Sequence, residues 1–169
     1  MPAFTIDLRP IARLNDTQFE QLCAANPDIK FERTPNGELV IMSPTGGDTG
    51  RHNATLIARF VVWNEQSNRG IVFVSSTCFK LPGGGDRSPD VSWVEKSRWE
   101  ALAPQQQRKF PPLCPDFALE LVSPSDNITT VRAKMREYLD SGLRLGWLIN
   151  PPDKQVEIYQ PQQAPEVLE

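Results

Sequence analysis

A single acid stands inside an apolar, strand-like run, Phe117-Ala-Leu-Glu120-Leu-Val122. A buried carboxylate costs several kcal/mol or shifts its pKa unless a cation or metal compensates it. A Ser-Pro-Ser-Asp turn follows at 123–126, then a helical pattern whose one lysine, Lys134, flanks its apolar stripe. A second apolar run, Leu143 to Ile149, closes the unit. Strand, helix and strand in this order make a crossover, with a charge where a plain core strand has none. The compensation must come from elsewhere in the chain.

The length of 169 residues fits one domain over 1–169, with residues 1–10 and 160–169 loose. A net charge of -3 advertises no nucleic acid, so an anionic partner needs a local patch or metal ions. Cys23, Cys78 and Cys114 lie far apart without CxxC spacing, which fits a reducing cytosol and a cytoplasmic protein. His52 is the only histidine, which argues against a zinc cluster. No basic and apolar leader opens the chain and no stretch approaches 18 apolar residues, so secretion and a membrane span are not expected.

Asn15 or Asp16 can cap a helix over 17–25. Lys30 to Arg33 and Glu38 to Met42 read as strands joined by Pro-Asn-Gly, a hairpin turn. A turn at 43–50 leads into a helix over 51–66 with Leu56, Phe60 and Trp63 on one stripe and His52 one turn before Leu56. Gly70 breaks the pattern. Ile71 to Ser75 and Cys78 to Leu81 read as a strand or bent pair of strands, and Pro89 to Val94 as another. Residues 95–110 hold a short helix, Thr129 to Leu139 a longer one, and Val156 to Tyr159 a final strand before a polar, proline-rich tail. Mixed strands with helices on the faces predict an α/β or α+β fold.

Two acids occupy similar contexts, Ser88-Pro-Asp90-Val-Ser-Trp and Pro115-Asp116-Phe-Ala-Leu-Glu120. Alternation puts Asp90 with Ser92, and Asp116, Ala118, Glu120 and Val122 on one face opposite Phe117, Leu119 and Leu121. Asp116 and Glu120 are about 13 Å apart along an extended chain and cannot chelate one ion. Glu120 needs a partner from another strand, and Asp90 is the candidate. Two carboxylates on neighbouring strands suit Mg2+ or Mn2+. Asp90 also reads as a turn acid after Pro89, and Lys134 as a lysine laying its stem over the stripe.

Asp90, Glu120-Leu-Val-Ser-Pro-Ser-Asp126, Lys134, Tyr138, Gly142, Trp147 and Pro151, together with Gly37-Glu-Leu-Val-Ile-Met-Ser-Pro44, resemble the Uma2 family over about residues 10–160. This is a family read as endonucleases, abundant in cyanobacteria, within the PD-(D/E)XK superfamily. The resemblance implies a restriction-endonuclease-like core, a central mixed sheet flanked by helices, and metal-dependent cleavage of DNA. It gives Asp90 and Glu120 the metal, Mg2+ or Mn2+. Val122 stands where the superfamily has its lysine, so Lys134 would be that lysine moved to the next helix. Glu38 and His52 match recurrent family positions; His52 also reads as a hydrogen-bonded core residue. Arg51, Arg87, Arg132 and Arg136 are the cations offered to phosphates. The competing reading is an inactive nuclease-like fold that binds nucleic acid or dimerises. Trp99, Phe110 and Pro111-Pro112 are more apolar than a bare loop needs and motivate the expectation of a homodimer.

Overall fold

The structure, a computed structural model, describes residues 3–169. In chain order it contains β1 (Phe4–Ile6), α1 (Asp16–Ala25), β2 (Phe31–Arg33), β3 (Leu39–Ile41), α2 (Gly47–Ser67), β4 (Gly70–Val74), β5 (Phe79–Lys80) and β6 (Asp86–Arg87). There follow β7 (Val91–Glu95), α3 (Lys96–Glu100), α4 (Pro104–Arg108), β8 (Phe117–Leu121), α5 (Ile128–Asp140), β9 (Leu145–Asn150), β10 (Gln155–Tyr159) and β11 (Glu166–Leu168).

The strands form two sheets, one ordered β1-β3-β2-β6-β5 and the other β11-β10-β9-β8-β7-β4. The crossover expected around Glu120 is present: β8 and β9 are parallel, with Glu120 opposite Leu148, and α5 joins them. Every other pair in that sheet is antiparallel, so it is mixed. Its faces are covered by different helices. Ala118, Val122, Met135 and Tyr138 share one core between β8 and α5. Val91, Phe117, Leu119 and Leu121 pack with Leu56, Ile57 and Phe60 of α2 on the other face. The period-2 alternation of β8 thus sets which side chains meet which helix.

Local signals explain the element starts. Asn15 caps α1 by accepting the Gln18 N–H at 2.9 Å, and Gln18 answers by accepting the Asn15 N–H at 3.0 Å. Asn127 caps α5 through the Thr129 N–H at 2.9 Å. The second helix begins at Gly47 rather than Arg51, with no side-chain cap. Its Gly and Thr residues look like a turn, but packing of the later apolar stripe holds the helix.

Three further differences follow from pairing that no local signal carries. The strands β4 and β5, whose sequence reads as one strand or a bent pair, lie in different sheets. Residues 4–6 and 166–168, read as loose ends, pair with β3 and β10. Trp99 and Phe110 are not spare interface residues: Trp99 lies 5.0 Å from Phe73 between ring centroids and Phe110 lies 6.0 Å from Phe19. Among the described residues no helix is long and apolar enough to cross a membrane.

Candidate active site

The register of β7 against β8 places Val91 opposite Leu119 and Ser92 opposite Ala118. One step further, Asp90 falls across from Glu120 on the same face, where directly opposed Cβ atoms stand about 5 Å apart. The Asp90 carboxylate is pinned to that position. Its Oδ2 accepts the Leu121 N–H at 2.9 Å, and its Oδ1 accepts from the Asn53 amide of α2 at 3.3 Å. Asp116, by contrast, sits at the far end of the strand, where it accepts the Glu95 N–H at 2.8 Å and pairs with Arg98 at 2.8 Å. The strand geometry that barred Asp116 from sharing an ion with Glu120 holds.

The helix α5 brings two donors to Glu120. Lys134 and Tyr138 are four apart and so share a helix face. Tyr138 donates its hydroxyl to Glu120 Oε1 at 2.8 Å, and Lys134 Nζ pairs with the same oxygen at 2.9 Å. The ammonium also donates to Glu32 Oε1 at 2.9 Å. Glu32 is only 1% exposed. It accepts the Ser88 N–H at 2.9 Å and pairs with Arg87 at 3.0 Å. Arg87 turns its other nitrogens to Glu137 at 2.7 and 2.8 Å. One continuous polar network therefore links the two sheets through α5, running from Glu32 of the first sheet to Glu120 of the second.

Burial alone would raise both acids. For Glu120 burial wins: with Asp90 and Glu32 adding negative charge and Lys134 opposing, its pKa rises from 4.5 to about 7. For Glu32 the cations win: burial is outweighed by Lys134, Arg87 and Lys30, and its pKa falls to about 2. Burial works against the Lys134 ammonium too, but Glu120 and Glu32 outweigh it and raise its pKa. Tyr138 is pushed well up by burial and by Glu120 and Glu32, so it stays a donor.

Of the residues chosen from sequence, Asp90, Glu120 and Lys134 converge. Glu38 instead meets Thr34 at 3.2 Å and Arg9 at 3.6 Å. His52 lies beside Leu56, Leu121 and Ile149 in a shallow depression of about 320 Å³, and its ring nitrogen faces Arg51 at 3.2 Å. The neighbouring Asn53, not His52, reaches Asp90. Arg87 is 5% exposed and held by two glutamates, so it is not a rim cation for phosphate. Arg132 is paired with Glu157, whereas Arg51 and Arg136 are exposed.

Glu32 and Tyr138 complete the network and were not singled out as functional from sequence. Lys30-Phe-Glu-Arg33 looks like a half-exposed strand whose acid is solvated among cations. The burial of all three β2 residues comes from packing of Phe31 on Phe19 of α1, from Asp16 and Asp86 around Arg33, and from Lys134 of α5 and Arg87 around Glu32, which the sequence does not announce. For Tyr138 a signal exists: it lies four residues from Lys134 and so shares its helix face, although its ring also suits the apolar stripe.

A metal fits this donor set. Among the described residues no three His, Cys, Asp or Glu side chains cluster as ligands, but Mg2+ is commonly held by one or two carboxylates with water or substrate oxygens filling the rest. Asp90 and Glu120 supply two. Burial raises the Glu120 pKa most, and the charge of Asp90 across the strand pair adds to that rise.

Comparison with known proteins places this geometry. The family model Uma2, described as "Putative restriction endonuclease", matches residues 16–169. A crystal structure described as "a putative nuclease belonging to DUF820", from Anabaena variabilis, has a TM-score of 0.71 at 21% identity, over 82% of this chain and 75% of that one. No curated protein matches. The fold is the restriction-endonuclease-like class expected from sequence, with its mixed sheet between helices. The match to the family model runs over nearly the whole chain and takes in Glu32, Asp90, Glu120 and Lys134, and on that extent the chain is a member of the Uma2 family.

Proposed function

We propose that this protein is a metal-dependent endonuclease that hydrolyses DNA phosphodiester bonds at Asp90, Glu120 and Lys134. The observation that carries the reading is the buried network in which Lys134 stands 2.9 Å from Glu120 while Asp90 occupies the opposed position on the neighbouring strand. Asp90 and Glu120 would hold Mg2+ or Mn2+, which when bound lowers the pKa of a water and offsets phosphate charge. Asn53 and the Leu121 N–H orient Asp90. Tyr138 fixes the Glu120 carboxylate. Lys134 supplies positive charge where hydroxide attacks phosphorus and the P–O bond to the leaving oxygen breaks. Glu32 holds the ammonium from the other side.

Nucleases that cut both strands of a duplex often work as pairs, so a homodimer belongs to the same reading. Light scattering of the intact protein at micromolar concentration tests it, with about twice the 19.0 kDa chain mass expected. The nuclease itself is tested by calorimetric Mg2+ titration and plasmid cleavage with wild type and Glu120→Gln. Loss of both metal binding and cleavage is expected in the variant. Unchanged metal affinity would end the reading and leave an inactive nuclease-like fold.

A further inference from the structure

On the face of the sheet away from Glu120 lies a groove of about 1140 Å³ between α2, β7, β8 and β9. Its floor is aromatic. Phe60 stacks on Phe117 at 4.8 Å, Trp147 meets Phe117 edge-on at 5.3 Å, and Trp63 meets Trp93 at 6.0 Å. Trp63 is 50% exposed, a large apolar surface left to solvent. The floor is also built rather than incidental. Trp93 lies against Gly70 so closely that a Cβ there would come within 2.1 Å of the indole. Its Nε1 donates to Asn64 Oδ1 at 2.8 Å, and Asn64 in turn donates to the Gly70 carbonyl at 2.8 Å.

The rim is basic. Its two acids are ion-paired within the chain: Asp116 with Arg98 and Arg144, and Glu95 with Arg144. Arg59, Arg69 and Lys96 also line the groove, and among the described residues none of the three has a carboxylate partner. Aromatic rings flanked by unpaired cations suit a ligand with exposed flat bases and a charged backbone. In a duplex the bases cover one another and are closed to such rings. A second copy of the chain fits poorly, because a two-fold contact sets the same patch on both copies together, here one rim with surplus positive charge against another.

We infer that this groove binds single-stranded nucleic acid, with bases stacked on Trp63 and its neighbours and phosphates on Arg59, Arg69 and Lys96. The inference rests on the nuclease reading for the class of ligand, but it concerns a separate face of the sheet. The probe is a labelled oligothymidylate of about 12 nucleotides, within the site sizes of such platforms, and the same strand paired with oligoadenylate. Binding is measured on the full Glu120→Gln chain in EDTA, so that cleavage cannot intervene.

The single strand is expected to quench tryptophan fluorescence and to bind more tightly than the duplex. Adding Trp63→Ala should weaken it about tenfold, the effect of losing one stacked base. Adding Arg69→Glu should weaken it and reduce the slope of log affinity against log salt by about one. Both sites are exposed, and thermal melts confirm folding. Oligonucleotide affinity unchanged by both substitutions overturns the inference. So does a concentration-dependent dimer that Trp63→Ala dissolves, which would make the groove a contact between copies. Loss of cleavage in Asp90 variants with oligonucleotide binding intact leaves the groove standing, whatever becomes of the nuclease site.

Discussion

Glu32 and Glu120 each place Oε1 2.9 Å from Lys134 Nζ, yet they titrate in opposite directions, to about 2 and about 7. The difference lies in their other neighbours. Glu32 has Arg87 and the Ser88 N–H; Glu120 has Asp90. A single ammonium suffices for one buried carboxylate and not for both, which leaves Glu120 as the acid that a bound cation would ionise.

Glu120 makes stability fall with rising pH. Its folded pKa of about 7 exceeds the ordinary 4.5, so between those values the folded chain binds the extra proton. Its contribution is present below 4.5 and lost as pH passes about 7, at most about 3 kcal/mol at 1.4 kcal/mol per pKa unit. Urea denaturation in EDTA at pH 5 and pH 8 should show this loss in wild type and a flatter profile in Glu120→Gln. A Glu120→Gln chain less stable than wild type at pH 8 would mean that the Lys134 pair dominates instead.

Glu32 has the opposite sign. Its depressed pKa gives stability that is present above 4.5 and lost as pH falls through about 2. Glu32→Ala leaves the buried Arg87 and the Ser88 N–H short of an acceptor, and should lose about 3–5 kcal/mol in denaturant titration. Glu32→Gln, which still accepts from Ser88, should lose less.

Lys134→Met keeps the packing stem and deletes the ammonium. Mg2+ affinity should hold or rise as a competing cation leaves, while turnover on DNA drops by about 10²–10³, the scale of a lost charge-stabilising donor. Single-turnover cleavage at saturating metal measures it. Turnover unaffected by the change would remove Lys134 from the chemistry.

Asn53→Ala removes the amide that steadies Asp90 and should reduce metal affinity about tenfold, the scale for a residue that orients a ligand. Parallel titrations of His52→Ala and Glu38→Gln should match wild type, because neither side chain touches Asp90, Glu120 or Lys134. A deficit in either would restore it to the site.

Gly70→Ala should destabilise the fold by about 1–3 kcal/mol, since the new methyl collides with a packed indole. Near-ultraviolet circular dichroism should change with it, reporting displacement of Trp93.

The pairing of Asp90 with Glu120 was legible because alternation and the repeated Pro-Asp context are local properties of two short strands. The crossover was legible for the same reason, from apolar runs separated by a capped amphipathic helix. Lys134 could be placed beside the stripe by helical geometry alone, without knowledge of what it would meet. Glu32 could not be found this way, because its burial depends on a distant helix docking over a three-residue strand. Glu38, five residues past the hairpin's first strand, looked the better acid only because its surroundings matched a pattern.

Local residue order is enough to assign the faces, that is, which residues of each strand and helix point together, since backbone periodicity sets them before any packing occurs. Packing selects which faces meet. It joined the terminal segments to sheet edges, divided β4 from β5, drew Arg87 inward and set Glu32 across the ammonium from Glu120. Those contacts bring together residues far apart in the chain, and their energies arise from burial and charge compensation that exist only once the two sheets and α5 have assembled.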